Sequence, residues 1–251
     1  MALASLICCE LLKLKRAKIL LISFLGAMAT PFMMFIEALQ THFEHPEQVI
    51  RLVDLYDSSL VYVMLLMNMM VYVIISAYLF SREYTEKTLK MILPVPISKT
   101  KFIASKFIIL FLWIMVLTIT TWAGILLSAA LYHVIFGMTG FVFEIALERL
   151  GIMLVSGILM FLTISPFSYL TVKAKNLVTP MIAAAAIVMG SAALSNQELG
   201  ALYPWTATYF LLKGKLASTG YPPSLAIVII ALVSILGFLT TFVYFKKEDI
   251  K

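Results

Sequence analysis

The chain has 251 residues, of which 62% are hydrophobic and only 13% are charged, and its mean hydropathy is +1.02. A soluble domain is about half apolar and about one quarter charged, so lipid must be the solvent for most of this chain. This composition excludes a soluble enzyme, a disordered chain and a disulfide-stapled secreted module. The two cysteines, Cys8 and Cys9, are adjacent in sequence and indicate neither a disulfide framework nor a metal site.

The first element is predicted from residues Met1–Lys18. Leu3, Leu6, Ile7, Leu11 and Leu14 recur at helical spacing, and a cationic cluster follows them. This pattern is typical of an amphipathic helix that lies on the membrane surface. We expect it to rest on the cytoplasmic surface and to lead into the first membrane span.

Six charge-free runs are long enough to cross the hydrocarbon core of a bilayer, which requires about 18–20 apolar residues. The Gly26-Ala27-Met28-Ala29 sequence within the first run is similar to a signal-peptidase site, but we count this run as a retained span. The sequence therefore predicts an all-α polytopic membrane protein that forms a single transmembrane domain over residues 1–251. The predicted spans are Ile19–Ile36, Leu60–Phe80, Phe107–Tyr132, Leu150–Val172, Leu177–Ser195 and Ser224–Phe245.

The basic residues orient these spans. Fifteen of the 19 Lys and Arg residues fall in the N-terminal segment, the second loop, the fourth loop and the C-terminus. Because positively charged loops stay in the cytoplasm, we expect both termini to be cytoplasmic in a multi-pass plasma-membrane protein. The net charge of +6 is then a consequence of topology and requires no nucleic-acid partner.

The predicted outer segment 196–223 is unusually apolar for a solvated loop. We interpret it as one or two short helices that re-enter the outer leaflet, with Trp205 and the tyrosines at headgroup level.

Several kinds of chemistry are absent from the sequence. Gly214-Lys215 lacks the upstream glycine and the following hydroxyl of a P-loop, and no hydrolase or zinc-protease motif occurs. His42 and His45, with the nearby Glu44 and Glu47, fit no zinc spacing and are interpreted as a solvated loop. Ion-coupled carriers normally require a charged residue near the middle of a membrane span. No predicted span of this chain contains one. We therefore expect a transport subunit without catalytic, cofactor or metal sites of its own.

The second loop, residues 81–106, is the longest cytoplasmic element. A helix beginning near Thr85 would carry Leu89, Ile92 and Leu93 on one face, and Pro94 and Pro96 would end it. Ser98 can then cap a helix that continues through Lys106, and Glu83 lies within reach of Lys99 or Lys106. From these residues alone, an interfacial helix without a partner remains an equal alternative.

The motifs of this loop resemble the loop between the second and third spans of type-2 ABC-transporter permeases. Glu83, Thr88-Leu89, Pro94 to Lys99, and Lys106 carry the resemblance, and the segment Glu10–Arg16 is similar to the entry segment of that family. Lys87 departs from the glycine that many members have there. The resemblance implies a role in coupling to an ATPase for Glu83, Thr88, Leu89, Ile92, Leu93, Pro94, Pro96, Ser98 and Lys99.

The resemblance further implies the permease subunit of a bacterial ATP-driven exporter, most similar to permeases of bacitracin or lantibiotic self-protection. Its partners would be separate cytoplasmic ATPase subunits, which bind ATP and Mg²⁺, and a second permease copy or a sister permease. The alternatives are a non-transporting membrane scaffold or sensor and a small intramembrane enzyme.

Two further sets of residues have both a functional and a packing interpretation. Met64, Met67 and Asn68 would line a pathway for an amphipathic or hydrophobic substrate, such as an antimicrobial peptide, or would serve as packing residues, with Asn68 in an interhelical hydrogen bond. Ala186 and Gly190 form a small-xxx-small pair that would bring helices together either between permease copies or within one subunit.

Overall fold

The computed structural model describes residues 3–15, 17–86, 88 and 98–247, and these residues are almost entirely helical, with no β-strand among them. A π-helical turn at Tyr62–Leu66 joins the third and fourth of the described α-helices. The helices are α1 (Leu3–Lys15), α2 (Ile19–Glu44), α3 (Leu52–Val61), α4 (Met67–Thr85), α5 (Lys99–Phe136), α6 (Phe143–Ala174), α7 (Val178–Leu194), α8 (Pro204–Lys213) and α9 (Pro223–Lys247).

Five helical segments of the described chain are long and apolar enough to span a membrane: Ile19–Glu44, Leu52–Thr85, Lys99–Phe136, Phe143–Ala174 and Pro223–Lys247. Each contains one predicted span. The fifth predicted span corresponds to α7, which has 17 residues and is therefore about 25 Å long at 1.5 Å per residue. This is shorter than the hydrocarbon core of about 30 Å, so six spans stay a prediction.

The helices extend well beyond the predicted spans. Helix α2 continues to Glu44 and α3 begins at Leu52, so much of the predicted first loop is helical. The reason is that a hydropathy window marks where hydrocarbon ends, whereas Glu, Ala, Leu and Gln continue a helix into the headgroup region at little cost.

Glycine and proline residues lie where neighbouring helices approach each other closely. A Cβ on Gly124 of α5 would lie 2.6 Å from the Cγ atom of Pro31 in α2. A Cβ on Gly237 of α9 would lie 2.6 Å from the backbone nitrogen of Pro166 in α6. Such contacts matter in a membrane because lipid gives no hydrophobic drive for helix association, and close van der Waals packing must replace it.

The connections of the bundle segregate to two ends. At one end Lys106 contacts Glu10 and Lys99 donates to the backbone oxygen of Lys246, with Nζ···O at 3.3 Å. At the other end Arg51 forms an isolated bridge with Thr139, and Arg149 pairs with Asp57. The described parts of the segments predicted to be cytoplasmic therefore share one end of the molecule, which we call the lysine-rich end.

The predicted outer segment folds into α8 between two short 3₁₀ turns, Glu198–Leu202 and Lys215–Ser218. It packs on the bundle: the Trp205 indole N–H donates to the backbone oxygen of Thr163 at 3.2 Å, and the Tyr203 hydroxyl donates to that of Ile187 at 3.4 Å. Packing against α6 and α7 thus accounts for its apolar composition, and its insertion into the outer leaflet stays a prediction.

We expect impermeant thiol reagents to distinguish the two ends in intact cells. Because Cys8 and Cys9 are exposed, both are first replaced by serine. Added reagent should then label Glu44→Cys and Ser218→Cys and spare Lys90→Cys and Lys173→Cys until the cells are permeabilised. Labelling of Lys90→Cys in intact cells, with Glu44→Cys protected, would reverse the orientation.

Candidate functional site

Four charged side chains meet at the lysine-rich end and form what we call the ion-pair cluster: Glu10, Lys13, Glu83 and Lys106. The Lys106 ammonium lies 2.7 Å from Oε2 of Glu83 and 3.3 Å from Oε2 of Glu10. Lys13 lies 2.7 Å from Oε1 of Glu10 and 3.5 Å from Oε1 of Glu83. The cluster therefore joins three helices, α1, α4 and α5.

Lys106 is only 1% exposed, and Glu83 and Glu10 are 2% and 3% exposed. An ammonium group has three N–H donors, and the third is accepted by the backbone oxygen of Leu79 at 2.6 Å. A buried ion is tolerated only when it is paired and its hydrogen bonds are made. The cluster satisfies that condition for Lys106, and its formal charges sum to zero.

Glu83 retains one open position. Its Oε1 atom is buried and accepts no hydrogen bond from a described residue, although Lys13 lies within ion-pair distance. Lys13 is the most exposed member of the cluster, with 35% of its side chain accessible. This side of the cluster is consequently its weakest contact.

The pKa values of the two residues that α1 contributes are shifted in opposite directions. Burial disfavours the Glu10 carboxylate, but Lys106 and Lys13 outweigh burial, so the pKa of Glu10 is lowered from its ordinary 4.5. Burial also disfavours the Lys13 ammonium, but Glu10 and Glu83 outweigh it, so the pKa of Lys13 is raised above 10.5. Both groups are therefore charged at neutral pH.

The sequence positions of these residues explain why the cluster forms. Glu10 and Lys13 are three residues apart and share one face of α1. Glu83 lies in the last turn of α4 and Lys106 is the eighth residue of α5, so the pair closes the base of the loop between these helices. Of the two predicted partners of Glu83, Lys106 is the one the structure pairs with it, and Lys99 contacts α9 instead.

Of the other predicted coupling residues, some lie within the described part of the chain and the rest lie outside it. Thr88 is half-buried, and Ser98 immediately precedes α5, where its side chain makes no capping hydrogen bond. The predicted coupling helix itself falls outside the described residues, as do Leu89, Ile92, Leu93, Pro94 and Pro96.

Asn68 is at the centre of a buried hydrogen-bond network between α2, α4 and α5. Its Oδ1 accepts from Thr30 at 2.9 Å, and its Nδ2 donates to Thr121 at 2.9 Å and to the Tyr72 hydroxyl at 3.3 Å. Tyr72 in turn contacts Thr118 at 3.0 Å. These contacts favour the interhelical interpretation of Asn68 over substrate contact.

The remaining predicted residues are distributed differently. Met64 is buried inside the chain and Met67 is half-buried, so Met67 is the more accessible of the two. Ala186 is exposed on α7, whereas a Cβ on Gly190 would lie 3.1 Å from the Tyr203 hydroxyl of the same chain. The structure therefore brings Gly190 into intramolecular packing and leaves Ala186 available to a neighbour.

The opposite end carries an ion-pair network that the sequence analysis missed. Asp57 lies 2.8 Å from Arg149 and 3.7 Å from Lys213, which connects α3, α6 and α8. Burial and the nearby Lys215 and Arg149 lower the pKa of Lys213 against the opposing effect of Asp57. The available signal was Arg149, one of only four cations on the predicted outer side.

The family model described as ABC-2 family transporter protein matches residues 6–192. This chain belongs to the ABC-2 transporter family. It is also 34% identical over 207 residues to the bacitracin transport permease protein BCRB of Bacillus licheniformis, an alignment that covers 82% of this chain and 97% of that protein. The family resemblance drawn from the second loop is thereby confirmed.

Membership of the ABC-2 family establishes the general character of the molecule. It is a multi-pass membrane permease of an ABC transporter and a transport subunit rather than an enzyme. The family implies association with an ABC ATPase partner. The ion-pair cluster lies within the part of the chain that the family model matches.

The lowered pKa of Glu10 predicts an acid-dependent loss of stability. A carboxyl whose folded-state pKa is depressed stabilises the fold above its ordinary value of 4.5, and that contribution disappears as pH falls through the lowered folded-state value. Glu10→Gln should therefore cost about 1–3 kcal/mol at pH 7, and this deficit should shrink towards zero at low pH. Thermal unfolding in detergent at pH 7 and at a pH below the lowered pKa of Glu10 measures the difference.

The control for this measurement is Glu47→Gln, which removes an exposed carboxylate from the loop before α3. It should unfold like the parent at both pH values. A Glu10→Gln deficit that stayed constant from neutral to acidic pH would show that Glu10 contributes by packing and not as an ion.

Proposed function

We propose that this chain is the permease subunit of an ATP-driven exporter and that the ion-pair cluster couples it to the ATPase. The observation that carries this proposal is the position of Glu83 and Lys106 on either side of the loop between α4 and α5. Their 2.7 Å ion pair joins the two ends of that loop, and Glu10 adds α1 to the same contact. A force on the loop would therefore act on three helices together.

The mechanism follows from how charges behave in a medium of low dielectric constant. Separating Lys106 from its carboxylates would leave buried charges unpaired, which costs several kcal/mol. The three helices therefore move as a unit when an ATPase subunit presses on the loop. Tilting of α4 and α5 would then open the space between two permease copies towards the outside.

The partners in this proposal are two cytoplasmic ATPase subunits, which bind ATP and Mg²⁺, and a second permease copy or a sister permease. Both termini and the lysine-rich end face the cytoplasm of a bacterial cell. Helix α7 offers a surface for the second permease, because it carries exposed small and apolar side chains. Among them are Ala186 and Ile182, and Ile182 is 66% exposed.

The substrate class in this proposal is an amphipathic or hydrophobic compound, with an antimicrobial peptide as the leading example. The relative BCRB is named for bacitracin transport, which makes bacitracin the first probe. The interior of the bundle also supports an apolar cargo, because the buried polar groups around Asn68 are hydroxyls and an amide that already bond to one another.

Charge removal from the cluster should uncouple transport from ATP hydrolysis. In Glu83→Gln the amide can still hydrogen-bond, but the cluster gains a net positive charge, so the helices should no longer move as a unit. We expect bacitracin-stimulated ATP hydrolysis by the complex with its ATPase subunit to fall at least about tenfold, or about 1.4 kcal/mol. Bacitracin resistance of expressing cells should fall in parallel.

The matched control is Asp57→Asn, which removes an interhelical ion pair from the opposite end of the bundle. It should leave ATPase co-purification and stimulated hydrolysis at the parental level. Parental hydrolysis and resistance in Glu83→Gln would contradict the coupling role. Failure of the parent chain to co-purify any ATPase would instead favour a non-transporting scaffold or sensor.

A further inference from the structure

A cavity of about 520 Å³ opens at the end of the bundle opposite the lysine-rich end. We call it the mixed-charge cavity, because α2 and α3 supply carboxylates to its wall and the segment from α8 onwards supplies ammonium groups. The charged residues that line it are Glu37, Asp54, Asp57, Lys213 and Lys215. A volume of 300–1,000 Å³ is usual for a small-molecule site, so the cavity can hold a ligand group that carries both charges.

The lining along α3 changes from charged to apolar towards the interior of the membrane. Asp54 and Asp57 precede the predicted second span, whereas Val61 and Leu66 lie inside it. The π-helical turn runs from Tyr62 to Leu66, and both of these residues line the cavity. Turns of this kind are frequent at functional sites. The cavity therefore suits an amphiphile whose polar group lies at the charged end.

Two donors of the cavity have bonding capacity that the described chain does not use. Tyr209 is only 4% exposed, yet its hydroxyl forms no hydrogen bond with a described residue. The Lys215 ammonium forms no ion pair with a described residue, and its Nζ atom lies 5.6 Å from the centre of the Tyr209 ring. Because a buried polar group without a partner costs free energy, these donors favour an anionic ligand group beside them.

The Tyr209 hydroxyl is directed towards the cavity. Burial raises the pKa of Tyr209, and the Asp57 carboxylate raises it further. Both residues line the cavity, so the hydroxyl lies within the electrostatic field of a carboxylate on the same wall. It can donate to a ligand oxygen that also contacts Lys215.

The carboxylates of α2 and α3 provide acceptors for a cationic ligand group. Tyr62 donates to Oε2 of Glu37 at 3.2 Å, and no described residue donates to Oε1 of Glu37. The Asp54 carboxylate forms no hydrogen bond or ion pair with the described chain. One oxygen of Glu37 and both oxygens of Asp54 can therefore accept from a primary ammonium group, which has three N–H donors.

The charge balance of the cavity favours a ligand without net charge. Asp57 is already paired with Arg149 at 2.8 Å and with Lys213 at 3.7 Å. Together with Lys215, these two cations balance the three carboxylates of the lining. A zwitterion preserves this balance, whereas a cationic peptide or an anionic lipid would leave an excess charge.

We infer that the mixed-charge cavity binds phosphatidylethanolamine, with its ammonium at Glu37 and Asp54, its phosphate at Tyr209 and Lys215, and its acyl chains beside Leu66. This lipid combines a primary ammonium, a phosphate and an apolar tail. Phosphatidylcholine carries the same charges but has no N–H donors, and phosphatidylglycerol has no cation. The assignment to the outer leaflet rests on the proposed orientation of the permease, whereas the choice of headgroup does not.

The test is native mass spectrometry of the purified full-length chain, titrated with phosphatidylethanolamine, phosphatidylcholine or phosphatidylglycerol of the same acyl composition. We expect a saturable phosphatidylethanolamine adduct at least about tenfold tighter than either of the others, because hydrogen bonds between charged groups are lost in both.

Two kinds of variant separate the two halves of the headgroup site. Glu37→Gln/Asp54→Asn should reduce the preference over phosphatidylcholine to near unity, because it removes the charged acceptors of the ammonium. Lys215→Gln and Tyr209→Phe should instead weaken all three lipids by a similar factor, because all three carry the phosphate. The matched control is Glu144→Gln/Glu148→Gln, which removes two exposed carboxylates from α6, outside the cavity, and should keep the parental preference.

Three results would overturn the inference. The first is equal affinity of the parent for phosphatidylethanolamine and phosphatidylcholine, and the second is an equal loss of preference in the control pair. The third is displacement of the lipid by millimolar phosphoethanolamine or by bacitracin, which would assign the cavity to a soluble zwitterion or to a peptide. These outcomes are independent of the proposed coupling role, because ATPase co-purification and stimulated hydrolysis are measured separately.

Discussion

The constraint on which this structure depends is the burial of one ammonium group, that of Lys106, at the end of a membrane-spanning bundle. An unpaired charge there would cost several kcal/mol, so two carboxylates and a backbone carbonyl must be held around it. Those acceptors come from α1 and α4, and the amphipathic helix is thereby attached to the bundle by the same contact that closes the loop before α5. One set of ion pairs consequently connects α1, α4 and α5.

The polar groups of the molecule fall into three layers with different physical roles. Ion pairs connect helices at each end, through Glu83 at one and Asp57 at the other. Between them, Asn68 and its hydroxyl partners hold α2, α4 and α5 together without any charge. Neutral hydrogen bonds suit the centre of a bilayer because they avoid the cost of an ion at that depth.

The sequence predicted the parts of the fold that follow from composition. Apolar runs located the long helices, and the separation of basic residues predicted which connections share an end. The motifs of one loop predicted the family and placed Glu83 within reach of Lys99 or Lys106, and the structure pairs Glu83 with Lys106. Packing could not be predicted in the same way. The attachment of α1 through Glu10 depends on a tertiary contact with Lys106, which is 96 residues away in sequence. The packing of the apolar outer segment on α6 depends on the hydrogen bond from the Trp205 indole to the backbone oxygen of Thr163. Met64 is buried, which does not support its predicted position along a substrate pathway. Hydropathy alone does not distinguish a side chain that lines a pathway from one that packs inside the bundle.

Joint movement of α1 and α5 during the ATP cycle can be tested by measuring a distance between these two helices. Spin labels at Leu12, on the exposed face of α1, and at Leu131, near the far end of α5, would be separated by roughly the helix length from residue 106 to residue 131, about 37 Å. Double electron–electron resonance on the assembled complex, with Cys8 and Cys9 replaced by serine, would compare the nucleotide-free and ATP-trapped states. If α1 and α5 move together, the parent has the same distance distribution in both states and Glu83→Gln has a broadened one. A shift of several ångströms between the two states of the parent would contradict it, because α1 would then move independently of the helix to which its charges are paired.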